Sequence, residues 1–173
     1  MITIISGTNR RNSNSLKVAQ QYQSILKEKG QESSIVNLEE LPEDFLSKAL
    51  YDKTVSEGFK PTRELMKKSQ KFVFIVPEYN GSFPGILKLF LDCLEFPETL
   101  KDKKCAMVGL SSGVQGSALA MSHLTDIFNY LGMHVLASKP KLMGIDGRME
   151  NGQVKDELGV QLLDEQAEAF IKF

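Results

Sequence analysis

Apolar positions along the chain follow two rhythms. Continuous runs at residues 2–5 (ITII), 72–76 (FVFIV) and 105–110 (CAMVGL) are apolar on both faces of an extended chain, as strands covered by helices on either side are. Two shorter segments, 34–38 (SIVNL) and 134–138 (HVLAS), read as further strands, the first near a sheet edge because its flanks are polar. Between these runs the apolar spacing changes to three and four. Leu16, Ala19, Tyr22 and Leu26 mark a helix that Gly30 ends, and Leu87, Phe90, Leu91 and Leu94 mark another with Pro84 in its first turn. Leu119, Leu124, Ile127, Phe128 and Leu131 mark a long helix that Gly132 ends, and Leu158, Leu162, Leu163, Gln166 and Phe170 mark a closing one. A short helix over 62–69, capped by Thr62 with Glu64 in its first turn, precedes the run at 72–76. Residues 39–61 have few periodic apolar positions and predict a long loop with a helical turn at 45–50.

Five strands alternating with helices predict an α/β fold, a doubly wound parallel sheet with helices on both faces, since parallel neighbours require crossover connections. No repeat, low-complexity tract or linker interrupts the pattern, so residues 1–173 read as a single domain. The loops after strands one, three and four all leave carboxyl ends of strands. In such sheets that rim is where ligands bind, at the point where strand order reverses.

Composition narrows the partners. A net charge of −1, with Lys and Arg spread along the chain, supplies no basic field and argues against nucleic acid. Cys93 and Cys105 sit in apolar surroundings and read as buried reduced thiols, in keeping with a cytoplasmic protein. Met1 runs into the first strand without a basic n-region, and no apolar run reaches the length of a membrane span, so the expectation is a soluble protein without a membrane partner.

The chemistry concentrates in the three loops. The first strand runs into GTNRRNSNS, where Thr8, Ser13, Asn14 and Ser15 can donate hydrogen bonds and Arg10 and Arg11 add positive charge at the start of a helix. These residues suit a phosphate. They equally suit an ordinary turn in which Asn12 or Ser13 caps the helix and the arginines are solvated. The second loop, residues 77–85, mixes turn formers with Tyr79 and Phe83; the third, 111–117, is built of small residues. Only Gly7 follows the first strand, which excludes the G-x-G-x-x-G dinucleotide fingerprint; the phosphate-loop lysine motif of nucleotide triphosphatases is absent, and residues 6–11 lack the carboxylates of a magnesium site. A phosphate beside two loops suited to a flat ring remains, and FMN has that shape. His123 and His134 are isolated and read as structural, and no metal-ligand spacing occurs.

Residues 77–88 (PEYNGSFPGILK) resemble the P-E-Y-N-x-S-x-P-G-x-L-K segment of the NAD(P)H-dependent FMN reductases, a family of flavodoxin-like fold that includes quinone, chromate and azo-dye reductases. The opening loop is similar to the family's G-S-x-R-x-x-S phosphate loop at Gly7, Arg10 and Ser13, with Thr8 in place of Ser. The third loop departs from the pattern: Gly113 and Gly116 are separated, and Ser117 stands where many relatives have a second adjacent glycine. The resemblance implies a five-stranded sheet of order 2-1-3-4-5 with FMN as cofactor and NADPH or NADH as electron donor. It also implies a small-molecule electron acceptor such as a quinone, and a homodimer or homotetramer. The cofactor residues it implies are Thr8, Arg10, Ser13, Asn14 and Ser15 for the phosphate, and Pro77, Glu78, Tyr79, Asn80 and Gly81 with Ser111, Ser112, Gly113 and Gly116 for the ring. The expected mechanism is a ping-pong hydride transfer through the flavin with no catalytic side chain. The helix after the third loop would turn its positive end toward the reduced ring. Two readings compete with this one, a flavodoxin-type carrier without NAD(P)H reductase activity and a flavin-free domain that keeps the fold.

Overall fold

The computed structural model describes residues 1–45 and 56–173. Most of the helical turn expected at 45–50 lies outside the described residues. The five continuous or β-branched runs form a parallel sheet. Its strands are β1 (Ile2–Ser6), β2 (Ser33–Asn37), β3 (Lys71–Pro77), β4 (Lys104–Ser111) and β5 (His134–Val135), in the order β2-β1-β3-β4-β5. The helices are α1 (Asn14–Glu28), α2 (Lys60–Lys68), α3 (Gly85–Asp92), α4 (Ala118–Tyr130) and α5 (Glu157–Lys172).

Side chains on successive strand residues point to opposite faces, and the central runs fill both. Phe72, Phe74 and Val76 of β3 join Leu87, Phe90, Leu124 and Phe128 in one core, against α3 and α4. Val73 and Ile75 join Val18, Tyr22, Leu163 and Phe170 in the other, against α1 and α5. Strand β2 lies at the edge, as its polar flanks predict.

Three local expectations change. Pro84 is the residue preceding α3, with extended backbone, rather than part of its first turn. Helix α2 begins at Lys60, after a single 3-10 turn at Glu57–Phe59, so Thr62 lies inside it and does not cap it. The fifth strand is split. After Val135 the chain leaves the sheet, then returns as β6 (Lys141–Met143), which also pairs with β4 and makes the sheet six-stranded. The cause is visible at Pro140, which has no N–H to give to a ladder. Buried Gln166 of α5 supplies the donor instead, its Nε2 reaching both Met107 O and Ser138 O at 2.8 Å.

This arrangement positions the site. β1, β3, β4 and β6 run in the same direction, so the segments after Ser6, Pro77, Ser111 and Met143 emerge at one rim. Because β2 lies on one side of β1 and β3 on the other, strand order reverses between β1 and β3.

Candidate functional site

At that reversal a cleft of about 380 Å³ opens between the first three loops. The first loop supplies Thr8, Arg10, Arg11, Asn12, Ser13, Asn14 and Ser15; the second supplies Pro77, Glu78 and Tyr79; the third supplies Ser111 and Ser112. Leu110, Ile145 and Asp146 complete the wall.

The first loop is shaped by its own contacts. Gly7 passes so close to β3 that its N–H bonds Ile75 O at 3.0 Å, and a Cβ there would lie 2.7 Å from the same oxygen. Thr8, itself buried, accepts the Arg10 N–H at 3.3 Å and shares a 2.8 Å hydrogen bond with the Tyr79 hydroxyl, which pins the first loop to the second. Ser13 caps α1 by accepting the Leu16 N–H on Oγ at 3.1 Å. The capping alternative raised by the sequence is therefore realised, yet it leaves the Ser13 hydroxyl hydrogen free to donate. Asn14 donates from Nδ2 to Asp146 Oδ1 at 2.9 Å. Ser15 Oγ is buried with no hydrogen-bond partner among the described residues. The N–H groups of Asn14 and Ser15, in the first turn of α1, have no partner within the helix. Arg10 and Arg11 are exposed at the mouth. This end of the cleft thus gathers unengaged hydroxyl, amide and guanidinium donors around a helix N-terminus, which is the chemistry that receives a dianion.

The other end is framed rather than charged. Asn80 and Gly81, both at positive φ, form a tight turn closed by the Tyr79 N–H to Ser82 O (2.7 Å) and the Ser82 N–H to Tyr79 O (3.0 Å). They shape the second loop without lining the cleft. Beyond them the Ser82 hydroxyl and His123 Nδ1 lie 2.9 Å apart, which ties the loop to α4. In the third loop Ser111 Oγ donates to Gly113 O and accepts the Gly116 N–H, each at 2.8 Å, so it holds the loop's own backbone. Gly113 O also accepts the Gly144 N–H at 2.9 Å. Gly116 is turned away from the cleft and packs on β6, where a Cβ would come within 2.7 Å of Lys141 Cβ. The head of α4, expected to face the ring unopposed, has its Ser117 N–H engaged by Glu78 Oε2 at 3.1 Å.

Of the residues singled out in the sequence, Asn80, Gly81, Gly113 and Gly116 lie off the cleft lining and the rest line it. Sequence reasoning missed Leu110, Ile145 and Asp146. No signal marked the last two, because residues 144–152 read only as a glycine-rich connection, and the β6 strand that delivers them to the rim was not foreseen. Among the described residues no group of three or more His, Cys, Asp or Glu side chains is placed to hold a metal ion, and no helix is long and apolar enough to cross a membrane.

Comparison with known proteins agrees with this geometry. A family model described as NADPH-dependent FMN reductase matches residues 1–143. A probable NADPH:quinone oxidoreductase 2 of Oryza sativa subsp. japonica is 30% identical over 129 residues, spanning 67% of this chain and 64% of that protein, a little under two thirds of its length. A quinone reductase of Escherichia coli is 35% identical over 136 residues, spanning 72% of each. Among solved structures, a flavoenzyme NAD(P)H:(acceptor) oxidoreductase from Paracoccus denitrificans superposes with a TM-score of 0.77 at 23% identity, covering 99% of this chain and 94% of its own, a likeness of fold.

Proposed function

The chain belongs to the NADPH-dependent FMN reductase family, and from that premise we propose that it is an FMN-containing oxidoreductase that takes electrons from NADPH or NADH and passes them to quinones or similar small acceptors. The observation that carries this reading is the union, in one cleft, of an anion-receiving end with a mouth framed by two further loops. The fit to a phosphorylated cofactor rests on Ser15 above all. Its buried hydroxyl oxygen has no partner among the described residues, and a phosphate oxygen would satisfy it.

Thr8, Arg10, Ser13, Asn14 and Ser15 would hold the phosphate. The backbone from Pro77 to Gly81, together with Ser111, Ser112 and Gly113 and with Gly116 as the support of the third loop, would border the ring. The chemistry supplied by bound FMN is acceptance of hydride from the nicotinamide and its delivery, after exchange in the same cleft, to the acceptor, a ping-pong sequence. The protein's part is positioning. The Thr8–Tyr79 bond fixes the separation of the two main loops, and the Asn14–Asp146 bond fixes the fourth segment against α1. Glu78, anchored on the Ser117 N–H, keeps its own backbone rigid at the rim. No side chain is assigned as acid, base or nucleophile.

The same reading includes a homodimer or homotetramer and a reducing, cytoplasmic setting, the latter supported by two free, buried thiols. Self-association is supported at the α3–α4 face, where Phe96 (66% exposed) and Tyr130 (81% exposed) stack with centroids 6.5 Å apart. Beside them an apolar groove is bordered by Lys88, Asp92 and Asp126, charges of both signs that suit a two-fold copy of the same patch. The test is an absorption spectrum of the purified protein with mass identification of any flavin, followed by quinone reduction with NADPH and NADH. Bound FMN and multiple turnovers are expected. Colourless protein that takes up no added FMN overturns the reading.

A further inference from the structure

A second groove lies on the other side of the third loop. It has a volume of about 330 Å³ and runs between α4, which lines it with Ala118, Met121, Ser122 and Thr125, and the segment entering β6, which lines it with Lys139 and Lys141. The two lysines flank Pro140, two residues apart in extended backbone, and so point to one side. The close approach of Lys141 Cβ to Gly116 fixes that side as the α4 side. Neither lysine makes a hydrogen bond or ion pair to another described residue, and the Ser122 hydroxyl is exposed beside them. The first-turn amides of Leu119 and Ala120 have no partner within α4. One acid, Asp126, borders the groove, but it is about 12 Å along the helix axis from Ala118. The end nearest the third loop therefore carries two positive charges and no negative one.

This end is separated from the cleft by a single loop. Ser111 and Ser112 line the cleft, while Gly116 of the same loop touches Lys141. The crest between them is exposed, with Val114 at 83%. We propose that the Lys139–Lys141 groove receives the 2′-phosphate of NADPH, a phosphate monoester, and so sets a preference for NADPH over NADH. The inference rests on the reading that the cleft takes a nicotinamide nucleotide, which can cross the crest from one site to the other. Two lysines serve a phosphate as point charges, without the planar fork an arginine would bring. For that reason no 2′-phosphate arginine stands out in the sequence.

The test compares the wild-type holoprotein with a variant carrying Lys139→Gln and Lys141→Gln, in binding and in turnover. Calorimetry uses adenosine 2′,5′-bisphosphate, AMP and inorganic phosphate as probes. The wild type should bind the bisphosphate more tightly than either other probe, and the variant should lose about tenfold in bisphosphate affinity, the effect of two partly exposed charge contacts. KM for NADPH should rise by about the same factor, with KM for NADH and both kcat values unchanged. Equal affinity for bisphosphate and AMP, equal affinity for bisphosphate and inorganic phosphate, or an unaltered NADPH-to-NADH ratio in the variant overturns the assignment. Holoprotein that oxidises neither nucleotide defeats the enzymatic reading instead, and bisphosphate binding that depends on the two lysines would then still support the groove as a phosphate site.

Discussion

Ser13→Asp separates the binding role of the first loop from its folding role. Ser13 is 6% exposed, lines the cleft and caps α1 through Oγ. Asp is as good an N-cap as Ser and places a carboxylate at a helix N-terminus, where the dipole favours it, so stability should change by less than about 1 kcal/mol. Binding should change far more. The new carboxylate stands where the phosphate is proposed to sit. A unit charge about 4 Å from another, at an effective dielectric of about 20, repels it by about 4 kcal/mol. A dianion doubles this, while the open mouth and salt reduce it, so a loss of roughly 1,000-fold in FMN affinity is a moderate expectation. Lys17→Asp, one turn further along α1, should cost less, since Lys17 does not line the cleft. The assay is fluorescence titration of apoprotein with FMN and with riboflavin, beside urea unfolding of the same samples. Riboflavin, which lacks the phosphate, should be affected much less than FMN. Unchanged FMN affinity in Ser13→Asp, with the fold intact, would refute the phosphate assignment.

Gly7→Ala would set a Cβ 2.7 Å from Ile75 O and 3.3 Å from Leu87 Cδ2, and the backbone oxygen has nowhere to move within the sheet. Urea unfolding should show a loss of about 1–3 kcal/mol. Gln166→Leu keeps the volume but removes the only side-chain donor that reaches Met107 O and Ser138 O among the described residues. It should cost about 2–4 kcal/mol in the same assay and raise amide exchange around residues 136–143. Burial pushes the Cys93 thiol up to about 11 and the Cys105 thiol up to about 12, so both should resist thiol reagents in the native protein at pH 8 and react on unfolding. Between pH 9 and 12 the unfolded chain ionises these thiols while the folded chain keeps them protonated, so stability must fall as pH rises through that window; Cys105 alone contributes up to about 4 kcal/mol of the fall.

How much of this was legible in the sequence depends on how local each feature is. The run at 72–76 is apolar on both faces because helices cover both faces, and its neighbours in the sheet follow from the same pattern. The first loop is contiguous, strand to turn to helix, so residues 8–15 could be read as a unit, and they line one cleft. The split of the fifth strand was not legible in that way. It depends on a side chain 28 residues away, Gln166, that replaces the ladder donor Pro140 lacks. Asp146 reaches the rim only through β6, and Lys139 and Lys141 become a pair facing α4 only once that strand is in place. Pattern reading placed Gly116 at the ring, whereas packing against Lys141 gives it the task of holding the loop. The helix dipole of α4 was legible in direction, but Glu78, 39 residues away, engages its head.

The account's central claim is that one cleft accepts reducing equivalents from a nicotinamide nucleotide through FMN without help from another protein. Anaerobic rapid mixing of FMN-loaded protein with NADPH, following the absorption band of the oxidised flavin, tests it most directly. The account predicts prompt bleaching with one NADPH consumed per flavin. A flavin spectrum that stays oxidised under excess NADPH, and is reduced only when a separate reductase is added, would contradict it and favour a flavodoxin-type carrier.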